Sequence, residues 1–291
     1  MHTPDGFLSN WVCVVTFLIT LGMVGISLAR AKRWMTKEKA FLMAALAAII
    51  FAFQMLNFSV GNGTSGHLIG AAIAAIMLGP HAAVLVMSAV LVVQTFVYGD
   101  GGVFALGANI LLMGIVAAYT AHFTYQGLKE RLPVIGGMLA SWASVIAASL
   151  VAALLLGLSG TVAFIDVIPA MVLTHIFIGA GEALITGSVL MYTKRILHAE
   201  NLLRHVAIST FGALVILSLA LPFASGSPDG LEKVAINLGF FERSTELYAL
   251  APMPDYTLLG ESSYVFVLLS GVVGMALTFG VGYSMARPLS T

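Results

Sequence analysis

Charge is scarce in this sequence. Asp, Glu, Lys and Arg together make up 9% of the 291 residues, while 59% are hydrophobic. An ordinary soluble domain carries roughly 25% charged residues. So few charges cannot coat a water-facing surface of this size, whereas lipid needs no charged coat. The 13 basic and 13 acidic residues cancel, so no excess of either sign points to nucleic acid. Cys13 is the only cysteine, which excludes an intrachain disulfide. Two motifs are missing as well. Without G-x-x-x-x-G-K-[ST] the chain has no phosphate-cradling loop with which to use ATP, and the lack of H-E-x-x-H argues against the usual intramembrane zinc protease.

Long apolar runs are what the sequence does have. Set against the ~20 helical residues needed to cross a bilayer, they predict an all-α, polytopic membrane helical bundle of about nine transmembrane helices. The predicted helices cover 7–29, 40–60, 67–79, 82–98, 103–125, 134–158, 163–192, 205–224 and 263–286. Pro80 ends the short third run, so 67–98 reads as a helical hairpin that neighbours must shield. The first run carries Asp5 and no basic residue ahead of it and is as long as a full span, which favours a span over a cleaved leader despite a cleavage-like "ISLA" at 26–29.

Basic residues orient the set. With the N-terminus outside, all but Lys233 and Arg243 of the Lys and Arg residues fall on the inner side. "MHTPDG", "GNGTSGH" and "VYGDGGVF" then emerge together on the extracytoplasmic side. His81, His122, His198 and His205 sit near inner boundaries and read as interfacial residues.

His2 has a different chemistry available. A free α-amine, the amide nitrogen of residue 2 and the imidazole Nδ1 of His2 can close two fused chelate rings on one metal ion. That places nitrogens from only two residues in one plane, which suits Ni(II) or Cu(II). A further nitrogen would complete the plane, and His67 emerges on the same side in a Gly-rich loop. Forming the chelate releases protons, so binding weakens in acid. The bland alternative is a histidine at the membrane surface with no ligand role.

"MHTPDGFL", "GNGTSGHLIGAAIAAIMLGP", "QTFVYGDGGVFALGAN" and "HIFIGAGEALIT", in this order over about 1–195, resemble the substrate-binding membrane components (M subunits) of energy-coupling-factor transporters for nickel and cobalt. The resemblance implies that Met1, through its amine, His2 and His67 hold the metal. It implies a substrate-binding subunit rather than an enzyme, in the cell membrane of a prokaryote, with Ni2+ or Co2+ as cargo and no prosthetic group. It also implies partners: a transmembrane coupling subunit and a pair of ABC-type ATPases. "MHTPDG" resembles the nickel members more than the cobalt members, although Thr3 departs from their usual isoleucine. "SGSPDGLEKVA" at 225–235, set between two apolar runs, resembles the small N subunit of the same transporters. The chain is therefore expected to be a fusion, with a seven-helix M part over 1–195 and a two-helix N part over 196–291 whose extracytoplasmic loop covers about 225–262. The N part is expected to assist metal movement, with no ligand of its own identified.

Four polar residues remain. His175 and Glu182 are seven residues apart on one face of the seventh helix, and a carboxylate inside a span is costly unless paired. An internal hydrogen bond or a coupling role is expected for them ahead of ligation. Asp100 and Asn109 flank the "GDGG" turn and could support the metal's ligands, or simply belong to a solvated turn. A stand-alone secondary cation carrier using Glu182 is the alternative from another class. The small-residue faces at 45–52 and 70–79 are candidate contact surfaces for a coupling subunit.

Overall fold

The structure is a computed structural model that describes residues 1–196, 202–245, 247–258 and 260–290. The predicted junction at 193–204 lies partly outside these residues, as does His198, and the His205 side chain is likewise outside them.

Helix α1 (Asn10–Ala31) presents Trp11, Val14, Phe17, Leu18 and Leu21 outward. Such a face is stable against lipid, not water. Helix α2 (Lys37–Gln54) is capped by Thr36, whose side chain accepts the Lys39 N–H at 3.3 Å. The chain then leaves the helical path sooner than the expected end at 60. Phe58–Gly61 (β1) and Thr64–Gly66 (β2) form a short antiparallel hairpin. Its turn is Asn62-Gly63, with φ of 52° and 65°. Both values are positive, as a tight turn between right-twisted strands requires, and this dipeptide adopts them readily. Residues 67–70 are not helical, so α3 (Ala71–Leu78) has only eight residues. At 1.5 Å per residue it is about 12 Å long and cannot cross a bilayer alone. Pro80 starts α4 (Pro80–Tyr98), whose final turn, from Gln94, widens into a π-helical turn. Helices α5 (Leu106–Leu128), α6 (Pro133–Leu158) and α7 (Phe164–Ile196) follow.

After α8 (Leu202–Ala220), a short helix α9 (Gly230–Asn237) lies in the long loop, and α10 (Tyr264–Ala286) completes the bundle. Among the described residues, seven helices are long and apolar enough to cross a membrane: α1, α4 to α8 and α10. Helix α2, with three charges in its first turn, and the short α3 fall outside that set.

The carboxyl-terminal helices pack directly on the amino-terminal ones. A Cβ on Gly274 of α10 would collide with the Phe51 ring of α2, so glycine is what permits this approach. Of the candidate contact faces, residues 45–52, apart from Ile49, and 70–75 are buried inside this chain and 76–79 are half-buried, while Ala45, Leu46, Ile50, Ile73 and Met77 line an apolar cavity of about 370 Å³. Helix α10 covers much of α2, and Leu46 and Ile73 pack together in the core.

Candidate metal site

The amino-terminal arm, residues 1–9, is folded into the bundle. Its anchor is Asp5, whose carboxylate accepts N–H groups from Val103, Phe104 and Ala105 at 3.1, 2.9 and 3.1 Å. These are the free donors where the chain turns into α5, so a carboxylate is well placed there. Asn109, wholly buried on α5, clamps residue 3: its side-chain oxygen accepts the Thr3 N–H at 2.8 Å, and its side-chain nitrogen donates to the Thr3 carbonyl at 3.1 Å. Further along, the Phe7 carbonyl accepts the Thr161 hydroxyl at 2.5 Å, and the Phe7 ring meets Phe240 edge-on. An arm tied at residues 3, 5 and 7 can only deliver its first two residues inward, and Met1 is 4% exposed.

There the terminal amine lies 3.0 Å from Nε2 of His67 and donates to Oδ2 of Asp229 at 2.6 Å. His67 is held by the segment between the hairpin and α3. Its Nδ1 donates to the Leu68 carbonyl at 3.2 Å, which leaves the Nε2 lone pair directed at the amine. The His2 ring stacks on the His67 ring with centroids 5.1 Å apart. Nδ1 of His2 is 3.1 Å from Asp100 Oδ1, and Nε2 is 3.2 Å from Gln94 Oε1. The Tyr256 hydroxyl closes this network by donating to Asp100 Oδ2 at 2.6 Å and accepting from Gln94 Nε2 at 3.3 Å.

Burial sets the protonation states. It lowers both His2 and His67 below the ordinary histidine value, in each case against the pull of nearby carboxylates. Burial thus favours the neutral imidazole, the form that has a lone pair to offer. Burial acts to raise the Asp229 carboxyl, but the terminal amine, His67 and the hydrogen bonds it accepts together hold it well below the usual carboxylate range. Burial and the Asp100 charge push the Tyr256 hydroxyl up, so it remains a donor.

Of the residues singled out in the sequence, Met1, His2, His67, Asp100 and Asn109 come together in this one place. His175 and Glu182 are one step away. With Met1, His67 and Asp229 they line a cavity of about 10 Å³, room for about one water. The buried His175 donates from Nδ1 to the Met171 carbonyl at 2.7 Å, and Glu182 Oε1, also buried, has no hydrogen-bond partner. Sequence reasoning missed Asp229, Gln94, Tyr256 and the anchoring role of Asp5. Among the described residues, no group of three or more His, Cys, Asp or Glu side chains is placed to hold a metal ion.

Comparison with known proteins gives a consistent picture. The family described as the cobalt uptake substrate-specific transmembrane region matches residues 2–200, and the PDGLE domain matches residues 204–290. The chain is 30% identical to a putative fused nickel transport protein of Archaeoglobus fulgidus, over 99% of this chain and 98% of that one. It is 32% identical to a fused nickel transport protein of Rhodobacter capsulatus, over 98% and 97%. Among solved structures, a truncated transition metal transporter superposes with a TM-score of 0.62 at 30% identity, covering 67% of this chain and 99% of that one.

Proposed function

For a chain that belongs to the cobalt uptake substrate-specific transmembrane family and carries a PDGLE domain at its carboxyl end, we propose the role of metal-binding subunit in an ATP-driven energy-coupling-factor importer, with Ni2+ as cargo. Its relatives are metal transporters, not enzymes. The division proposed is a metal-binding part over 1–195 and a PDGLE part over 196–291, with the N-terminus outside the cell.

The observation that carries this reading is the buried terminal amine, 3.0 Å from Nε2 of His67, beside the stacked His2 ring. An amine, an amide nitrogen and an imidazole from Met1 and His2 form the fused chelate, and His67 supplies the remaining nitrogen. Four nitrogens around one ion favour the d-electron count of Ni(II). Two relatives that match nearly the whole chain are named for nickel, and Co2+ is the alternative cargo. In the chelate His2 binds through Nδ1, the atom that faces Asp100 here. Loading thus exchanges a carboxylate contact for the metal, and Asp100 keeps its bond from Tyr256.

The energy comes from partner subunits, a coupling subunit and an ATPase pair, because the chain has no phosphate-cradling loop of its own. The test is nickel binding by the purified protein with its own terminus, beside the same protein with a histidine-free tag left on Met1. Native mass spectrometry should find one nickel on the first and none on the second. Equal loading would refute the chelate. Uptake into liposomes by this chain alone would instead favour a stand-alone carrier working through Glu182.

A further inference from the structure

The PDGLE part supplies one carboxylate to the metal-site region, that of Asp229. We propose that Asp229 is a positioning residue of the metal site: its carboxylate, delivered by the loop before α9, fixes the Met1 amine as a ligand and offsets the charge of the bound divalent ion without touching it. This rests on the metal-binding reading above.

The two oxygens of Asp229 have separate partners. Oδ1 caps α9, accepting the Leu231 and Glu232 N–H groups at 2.8 and 2.9 Å, while Glu232 Oε2 accepts the Asp229 N–H at 2.9 Å. This reciprocal cap fixes the side chain, so Oδ2 has one direction left, and it meets the Met1 amine at 2.6 Å. An amine that gives its lone pair to a metal still carries N–H bonds to donate, so the same contact serves the loaded site.

The mount of Asp229 is also tied to the opposite ligand. The Ser65 N–H donates to the Pro228 carbonyl at 2.9 Å, and the Ser65 hydroxyl donates to the Ser227 carbonyl at 2.7 Å. Ser65 is two residues from His67. On the other side Gly230 lies against α7 so closely that an added Cβ would be 2.6 Å from Ile178 and 2.8 Å from Nε2 of His175. Carboxylate, amine and His67 are thus held as one unit across 228 residues of chain. Among the described residues, the other hydrogen-bond and ion-pair partners of the His2 and His67 rings are the Gln94 amide, the Leu68 carbonyl and the carboxylate of Asp100. Removing Asp229 would take away the carboxylate in direct contact with the amine, and loss of such a supporting partner weakens metal affinity by ~10- to 100-fold.

The experiment separates charge from architecture. Asp229→Asn keeps an efficient helix cap but removes the charge. Glu232→Ala breaks the reciprocal cap but leaves the carboxylate. Nickel titrations and visible spectra are recorded on the full chain with a native terminus. Asp229→Asn should bind nickel ~10- to 100-fold more weakly and shift the ligand-field bands of the loaded site, while Glu232→Ala changes neither. Wild-type affinity and spectrum in Asp229→Asn would overturn the proposal. So would equal losses in both variants, because Asp229 would then act only through α9. If the wild type itself binds no nickel, the failure lies with the metal-binding reading.

Discussion

Asp5→Ala isolates how much of the site depends on docking the arm. The replaced carboxylate accepts three backbone N–H groups and is 4% exposed. A hydrogen bond to a charged group contributes about 1.5–3 kcal/mol, and bonds that share one acceptor do not add fully. The Ala105 donor is buried, whereas the bonds from Val103 and Phe104 are only partly buried and those donors can turn to water. One full loss and two partial ones come to about 3 kcal/mol. This cost falls on the docked state of the arm, and apparent affinity scales with the docked fraction. Nickel affinity should therefore fall by up to about 100-fold, since 1.4 kcal/mol corresponds to tenfold. The clamp on Thr3 and the buried Phe7 still hold the arm, so saturation remains reachable, and the saturated spectrum should be that of the wild type. Asp5→Asn, which keeps one carbonyl acceptor, should fall in between. The assay is competition for nickel against a chelator of known affinity. Wild-type affinity in Asp5→Ala would show that docking is not limiting. A changed spectrum at saturation would show that Asp5 acts on the metal itself. Either result refutes the reasoning.

Acid should act on this protein in two ways. Metal binding should release about two protons, from the amine and the amide, measurable by calorimetry in buffers of different ionisation enthalpy, and it should weaken as pH falls. Stability of the metal-free protein should fall as well. His2 and His67 are lowered in the folded state from their ordinary value of 6.5, so below that pH the unfolded chain binds more protons and stability is lost as pH drops through this range. Thermal unfolding in detergent should show the decline, and His67→Ala should lessen it. Gly274→Val should separate α10 from α2, because its side chain would meet Phe51. A loss of about 1–3 kcal/mol is expected from such overpacking, visible as a lower Tm, and an unchanged Tm would argue against the observed packing.

Met1 and His2, proposed above as ligands, stood out in the sequence because their chemistry is local. An imidazole at position 2 beside a terminal amine is a chelate by covalent connectivity alone. The membrane helices were legible for a similar reason, since an apolar run reports its own environment. The hairpin at 58–66 was missed, with 58–60 read as the end of a helix and 61–66 as a loop, although Asn62-Gly63 is a hairpin-turn dipeptide. Its presence shortened α2 and α3. Asp229 was not legible. "PDGLE" specifies a capped helix start, yet nothing in that segment says onto which surface the long loop folds. The small-residue faces at 45–52 and 70–79 have the composition of a close helix contact, and within the chain α2 packs against α10. Composition shows that a face allows close approach, not which helix takes it.

The pairing of Met1 with Asp229 also bears on how the protein is made. The amine is synthesised first, and the carboxylate that meets it comes 228 residues later. The enclosure of Met1 is therefore complete only when the loop before α9 has packed against the amino-terminal arm, so closure of this region depends on the last part of the chain.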